Sequence, residues 1–286
     1  MPLLAFVFVL IAAGAHATWN LLAKRAAQHR NLILFSSSAE AILFLPVALG
    51  ITAGSIDRLT GKAALFLLAT GIIHVFYTES LQRGYRAGDL SVVYPLARGT
   101  GPLLSFFGAI LLLGERPSAL AGAGAFLVTS GVWLVPGGSR AFRHGARRAG
   151  LFWGVATGCT IACYTLTDGY SVKVLRLSPF LVEYAGNLFR TVVLSLRAWH
   201  ERPALRKEYR QCWKEALGIA ILTPAAYVLV LSAMRIAPVS RIAPMREMSM
   251  MIAAWWGSRF LGEGHAVRRV LGSALIAAGV ALLAFS

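Results

Sequence analysis

Residues 91–135 read SVVYPLARGTGPLLSFFGAILLLGERPSALAGAGAFLVTSGVWLV. Two apolar runs, each long enough to cross a bilayer, flank a polar turn at Gly114-Glu115-Arg116-Pro117. Residues 240–285 repeat the plan as SRIAPMREMSMMIAAWWGSRFLGEGHAVRRVLGSALIAAGVALLAF. Ser91 and Pro95 match Ser240 and Pro244 at an offset of 149. After a one-residue slip, Arg98, Leu113, Gly114, Glu115, Gly124 and Gly131 match Arg246, Leu261, Gly262, Glu263, Gly272 and Gly279 at 148. Upstream, Thr18 to Lys24 face Thr167 to Lys173, again at 149. Shared Arg, Glu and Lys positions are not what apolar composition produces by chance, so the chain is one unit built twice.

Composition sets the solvent. The 286 residues are 57% hydrophobic with a mean hydropathy of +0.65, and only 14% are charged, against about a quarter in soluble domains. These values indicate an integral membrane protein. The formal charge of +16 would point to nucleic acid in a soluble chain, but here the basic residues lie between apolar runs, where the positive-inside bias puts them. Nucleic acid is therefore not an expected partner, whereas the lipid bilayer is. Cys159, Cys163 and Cys212 have neither a disulfide framework nor metal-ligand spacing, and Cys159 and Cys163, four apart on one helical face, are expected to be small packing residues. The apolar start ending in Ala15-His16-Ala17 lacks the positive charge of a signal peptide, so it reads as a retained first span.

Ten segments are apolar enough to span: 3–22, 32–53, 63–82, 91–113, 118–135, 151–172, 178–198, 215–234, 240–261 and 267–285. The expected fold is all-α, ten transmembrane helices in two five-helix repeats, 1–135 and 151–286, joined by a Gly- and Arg-rich linker at 136–150. An odd number of spans per repeat inverts the second copy, an arrangement that places a substrate site between the repeats near the midplane. Arg and Lys concentrate in the loops after the odd-numbered spans, which predicts cytoplasmic loops there and both termini outside. His200 to Trp213, with Leu205, Tyr209 and Trp213 four apart, predicts a short helix lying on the anionic leaflet.

Ionisable groups inside spans cost about 2.5 to 3.5 kcal/mol each and are functional candidates by default. Arg98 and Arg246 sit about seven residues into their spans, roughly 10 Å deep at 1.5 Å per residue. They either line one pathway and hold a carboxylate or phosphate, which the planar guanidinium suits, or they neutralise acids such as Glu79 and Glu247. Trp19, Asn20, His74, Tyr77, Tyr94, Tyr164, Asp168 and Tyr227 could furnish the oriented polar groups of an otherwise apolar cavity, or serve as packing and interfacial residues. Glu183, Asn187 and Arg190 form one stripe, with a structural bridge from Arg190 to Glu40 expected. Glu79 or Glu247 could carry a proton if transport is coupled to H+. Pro95, Gly99, Gly101 and Pro102 predict a kink beside Arg98, and Gly122, Gly124, Gly131, Gly272 and Gly279 predict close helix packing.

The ten spans, the Leu-Gly-Glu turns at 113–115 and 261–263, the Gly-rich fifth and tenth spans, and Trp19-Asn20 followed by Lys24 resemble the drug/metabolite transporter superfamily, in its EamA branch. The resemblance covers nearly the whole chain. It implies secondary transport of a small polar metabolite through a cavity between the repeats, usually export across the bacterial inner membrane, with no cofactor and no covalent chemistry. Relatives that carry sugar phosphates use cationic residues on span nine, the position of Arg246. Two other functions compete: a lipid-linked sugar flippase, which needs a lateral opening, and an intramembrane enzyme, which needs a nucleophile and base or clustered metal ligands. For the enzyme, His74 near Glu79 and Ser80 is the nearest approach, without an HExxH or GxSxG motif.

Overall fold

The computed structural model describes residues 1–26, 28–55, 57, 59–87, 90–134, 148–198, 202–252, 255 and 266–286. Among them every regular element is a helix. In chain order these are α1 (Leu3–Arg25), α2 (Leu32–Leu43), α3 (Leu45–Ala53), α4 (Gly61–Ala87), α5 (Leu90–Leu113) and α6 (Ala119–Leu134), then α7 (Arg148–Lys173), α8 (Pro179–Arg197), α9 (Arg202–Ile236), α10 (Val239–Met245) and α11 (Ala266–Phe285). Five helices, α1, α4, α5, α7 and α9, are long and apolar enough to cross a membrane; α2 with α3, bent by 49°, would make a sixth. Leu111, Leu112, Phe126 and Phe152 face outward. Such a surface is what hydrocarbon covers, and the chain is a multi-pass integral membrane protein.

The breaks follow from sequence chemistry, with one departure from expectation. Pro46 has no N–H to give the Ile42 carbonyl, and the expected span at 32–53 bends there into α2 and α3. Helix α5 ends as its turn residues dictate: Gly114 takes φ +67°, a left-handed conformation that glycine adopts at no steric cost, and Glu115 N–H reaches back to the Ala109 carbonyl at 3.1 Å. The kink expected beside Arg98 does not break the helix. Helix α5 continues through Pro95, Gly99, Gly101 and Pro102 because the small residues are consumed by packing; a Cβ on Gly101 would lie 2.6 Å from Ile161. It is α10 that stops, at Met245, and the chain tightens into i−3 bonds from Glu247 to Pro244 and from Ser249 to Arg246.

The most extensive helix contacts join the first half to the second: α5 and α4 on α7, α1 and α2 on α9, α4 on α8, and α6 on α11. The last pair meets backbone to backbone. A Cβ on Gly131 would lie 2.6 Å from the Gly272 carbonyl, and one on Gly279 would lie 2.6 Å from that of Gly124. Gly122 meets nothing within 4 Å, so it takes no part in this seam. Cys159 and Cys163 are exposed, not packed as expected, while Cys212 is buried. The amphipathic segment before span eight is helical and merges with α9 across a break at Cys212. Its Leu205 packs on the cluster of Ala26, Leu32, Phe35 and Cys212 that Trp19 and Leu22 also cover, and its Glu208 accepts hydrogen bonds from Asn31 N–H and Nδ2 at 2.9 and 2.8 Å. Most of the linker at 136–150 and the second Leu-Gly-Glu turn at 261–263 lie outside the described residues; residues 148–150 already belong to α7.

Candidate functional site

A cavity of about 140 Å³ opens between the halves. Each surrounding helix turns one polar stripe toward it, because residues three or four apart share a helix face. Thus α1 presents His16 and Trp19, α4 presents His74 and Tyr77, and α8 presents Glu183, Asn187 and Arg190. Arg98 comes from α5, Tyr164 from α7, Tyr227 from α9, and Arg246 from the turn that follows α10. Val9, Ala12, Ala13 and Val230 complete an apolar wall.

The two arginines meet different partners. Arg98 Nη1 lies 3.5 Å from Glu247 Oε1, its Nη2 lies 2.8 Å from His16 Nε2, and its guanidinium stands 5.6 Å from the Tyr94 ring. Arg246 Nη1 donates a long 3.4 Å bond to Thr165 Oγ1, and its guanidinium faces the rings of Tyr164 and Tyr227 at 5.9 and 5.4 Å. No carboxylate among the described residues lies within ion-pair distance of Arg246. His16 also accepts a bond from Trp19 Nε1 at its Nδ1, 3.2 Å away. A neutral imidazole has one accepting nitrogen, so His16 serves Trp19 or Arg98, and not both at once.

Opposite the arginines lies an aromatic box. His74 stacks on Tyr164 with centroids 4.5 Å apart, and Tyr77 and Tyr227 meet Tyr164 edge-on at 5.6 and 6.1 Å. Behind it, fully buried Asp168 accepts from Tyr227 Oη at 2.6 Å and from His74 Nε2 at 3.3 Å. That carboxylate fixes the tautomer and tilt of the box and does not itself line the cavity.

Of the residues singled out from sequence, Trp19, His74, Tyr77, Arg98, Tyr164, Tyr227 and Arg246 line one cavity. Tyr94, Asp168 and Glu247 stand directly behind it as partners of lining side chains. Asn20 turns back to the His16 carbonyl at 2.7 Å. Glu79 is held by Arg83 and Arg197 at 3.0 and 2.7 Å, in a separate shallow crevice. The expected Arg190–Glu40 bridge is replaced: Arg190 Nη2 donates to Asn187 Oδ1 at 2.8 Å, and Glu40 sits against Glu183. His16 was hidden within a run that reads as a signal-peptidase site, although its spacing to Trp19 and Asn20 put it on their face. Among the described residues no three His, Cys, Asp or Glu side chains could share a metal ion.

One further contact fixes Arg246 from a distance. Glu115 Oε1 accepts from Lys173 Nζ and from Val239 N–H, both at 2.8 Å, while Oε2 accepts from Ser240 N–H at 2.9 Å. A carboxylate on the first N–H groups of a helix satisfies donors the helix itself leaves open. Burial pushes the Glu115 carboxyl up, but the Lys173 ammonium and the two backbone N–H groups outweigh it and hold it below the usual carboxylate range. The turn of the first half thereby pins the short helix that ends beside Arg246.

Residues 148–285 match the EamA-like transporter family. The match lies in the second half of the chain, which is similar to that family over this stretch. That family is one of transporters, and the cavity described above is lined by helices of both halves. Over 97% of its length the chain also superposes on a protein of known crystal structure, with a TM-score of 0.73 at 16% identity and 95% of that protein covered. The likeness shows that the chain shares that protein's fold over both halves. No curated protein matches the sequence.

Proposed function

We propose that the protein is a secondary active transporter that moves a small anionic or zwitterionic metabolite, such as an amino-acid-like solute, by alternating access, and acts as an exporter in a bacterial inner membrane. The observation that carries this reading is the meeting of Arg98 and Arg246, matched in sequence across the two halves, at one cavity. Arg246 offers the substrate's carboxylate or phosphate a guanidinium with no carboxylate at ion-pair distance among the described residues, and the box of His74, Tyr77, Tyr164 and Tyr227 takes the rest of the solute. Trp19 and His16 close the α1 side.

The chain works in this reading as ten spans in two inverted repeats, 1–135 and 151–286. The symmetry of the contacts supports it: Gly124 faces Gly279 and Gly131 faces Gly272, pairs that exchange when each residue is replaced by its match at offset 148. The basic loops after odd-numbered spans favour both termini outside. The test is uptake into liposomes holding the purified protein, scanning amino acids, dicarboxylates and sugar phosphates. Saturable flux of one class, lowered at least about tenfold by Arg246→Gln in a variant that remains folded, is the expected result. Flux that Arg246→Gln leaves unchanged would remove the arginine from the pathway.

A further inference from the structure

Glu40 and Glu183 form a buried carboxyl pair that the substrate cavity does not explain. Glu40 on α2 is 2% exposed and Glu183 on α8 is 7% exposed, and the bonds from Tyr184 Oη to the Ala41 carbonyl (2.7 Å) and from Asn187 Nδ2 to the Ser37 carbonyl (3.0 Å) hold the two helices in the register that sets these acids next to each other. Two carboxylates offer only acceptors, so any bond between them requires a proton on one of them. Without it, like charges would sit side by side out of water, which folded proteins avoid by letting such a pair share a proton. A second observation points to the same missing hydrogen: Glu40 Oε1 is buried and meets no donor among the described residues.

The neighbourhood does not neutralise the pair in another way. From α8, Tyr184 Oη is committed to the Ala41 carbonyl at 2.7 Å, and Arg190 to Asn187. Arg190 feels both carboxyls but is in ion-pair contact with neither, and its Nε is itself without a partner. From α7, Asp168 adds negative charge; it is already bound by Tyr227 of α9 and His74 of α4. The acids named from sequence for this role are engaged elsewhere, Glu247 with Arg98 and Glu79 with Arg83 and Arg197.

We infer that Glu40 and Glu183 hold one exchangeable proton between them, with Glu183 as the cavity-facing member, and that this proton is the coupling ion of the transport cycle. Glu183 lines the cavity and Glu40 does not, so water or substrate reaches the proton from one side only. The coupling half of this inference rests on the transporter reading; the proton site does not.

Infrared spectroscopy of the purified protein in liposomes tests the site directly. At pH 7 the native protein is expected to show the carbonyl stretch of a neutral carboxylic acid, shifted on transfer to D2O, and Glu40→Gln/Glu183→Gln is expected to lose one carboxyl equivalent of it. No such band in the native protein, or an equal band in the double variant, overturns the proton site whether or not any solute moves. With the solute found by the uptake scan, one proton per solute supports about tenfold accumulation per unit of pH gradient, and the double variant should show none. Accumulation that ignores the gradient in the native protein overturns the coupling. Failure of every solute to move would instead strike the transporter reading, with the infrared result still standing.

Discussion

Arg98 and Arg246 hold matching places in the two halves, yet their surroundings differ in one charge. Glu247 stands 3.5 Å from Arg98, while Arg246 faces a threonine hydroxyl and two tyrosine rings. The sequence position that matches Glu247 at the same offset of 148 is Gly99, so only the second half supplies an acid, and it serves the arginine of the first. Equivalence in a repeat therefore does not carry equivalence of role. One guanidinium completes a buried ion pair, and the other has no carboxylate at ion-pair distance among the described residues.

The largest effect should come from breaking the pair. Arg98→Gln strands the 3% exposed Glu247 without its cation, at a cost of about 3 to 5 kcal/mol, and should appear as a marked fall in melting temperature in detergent. Arg98→Gln/Glu247→Gln should regain most of that loss, since removing both charges removes the desolvation penalty as well. A single variant as stable as the native protein would show that the pair contributes nothing. Arg246→Gln should behave in the opposite way. It should melt near the native temperature and lose transport by about tenfold to a hundredfold, the worth of a charge-assisted bond of about 1.5 to 3 kcal/mol. If both variants fail in the same assay to the same degree, the division between the arginines is wrong.

The glycine seam asks whether the halves differ in packing as they do in charge. Gly131→Ala drives a methyl group against the Gly272 carbonyl, and Gly279→Ala does the same against that of Gly124. Overpacking of this kind costs about 1 to 3 kcal/mol, and the two variants should lose similar stability because the contacts are related by the repeat. Gly122→Ala, which meets nothing, is the control and should melt like the native protein.

Much of this was readable from sequence where a residue's role is set by its own chemistry. The Gly114 turn and the paired glycines follow from backbone preference and size. Partner choice was not readable. Glu183, Asn187 and Arg190 were visible as a stripe, yet whether Glu40 meets Arg190 or Glu183 depends on the rotation of α2 against α8, which no spacing within one helix encodes. The break in the helix falls after α10 and not in α5 for a related reason. Proline and glycine permit a break, but packing decides whether the permission is used, and Gly101 of α5 is filled by Ile161 of α7.

The smallest effect separates the arginines again, through acid. Because the folded Glu115 carboxyl is held below its usual range, its contribution is complete above the unfolded value, about 4.3, and is lost as pH falls through the lower folded value. The native protein should therefore lose melting temperature more steeply than Glu115→Gln as the pH drops from about 5 to about 3. A slope that Glu115→Gln does not flatten would mean that other carboxyls carry the acid sensitivity. At neutral pH the substitution keeps an acceptor for one of the three donors and removes the charge that Lys173 pairs with. What it loosens is the start of α10, seven residues long and ending beside Arg246. Glu115→Gln should thus lower transport modestly in a native background and have little further effect in Arg246→Gln, while adding its full cost to Arg98→Gln. Equal additivity with both arginine variants would sever the link between this turn and Arg246, and leave Glu115 a helix cap alone.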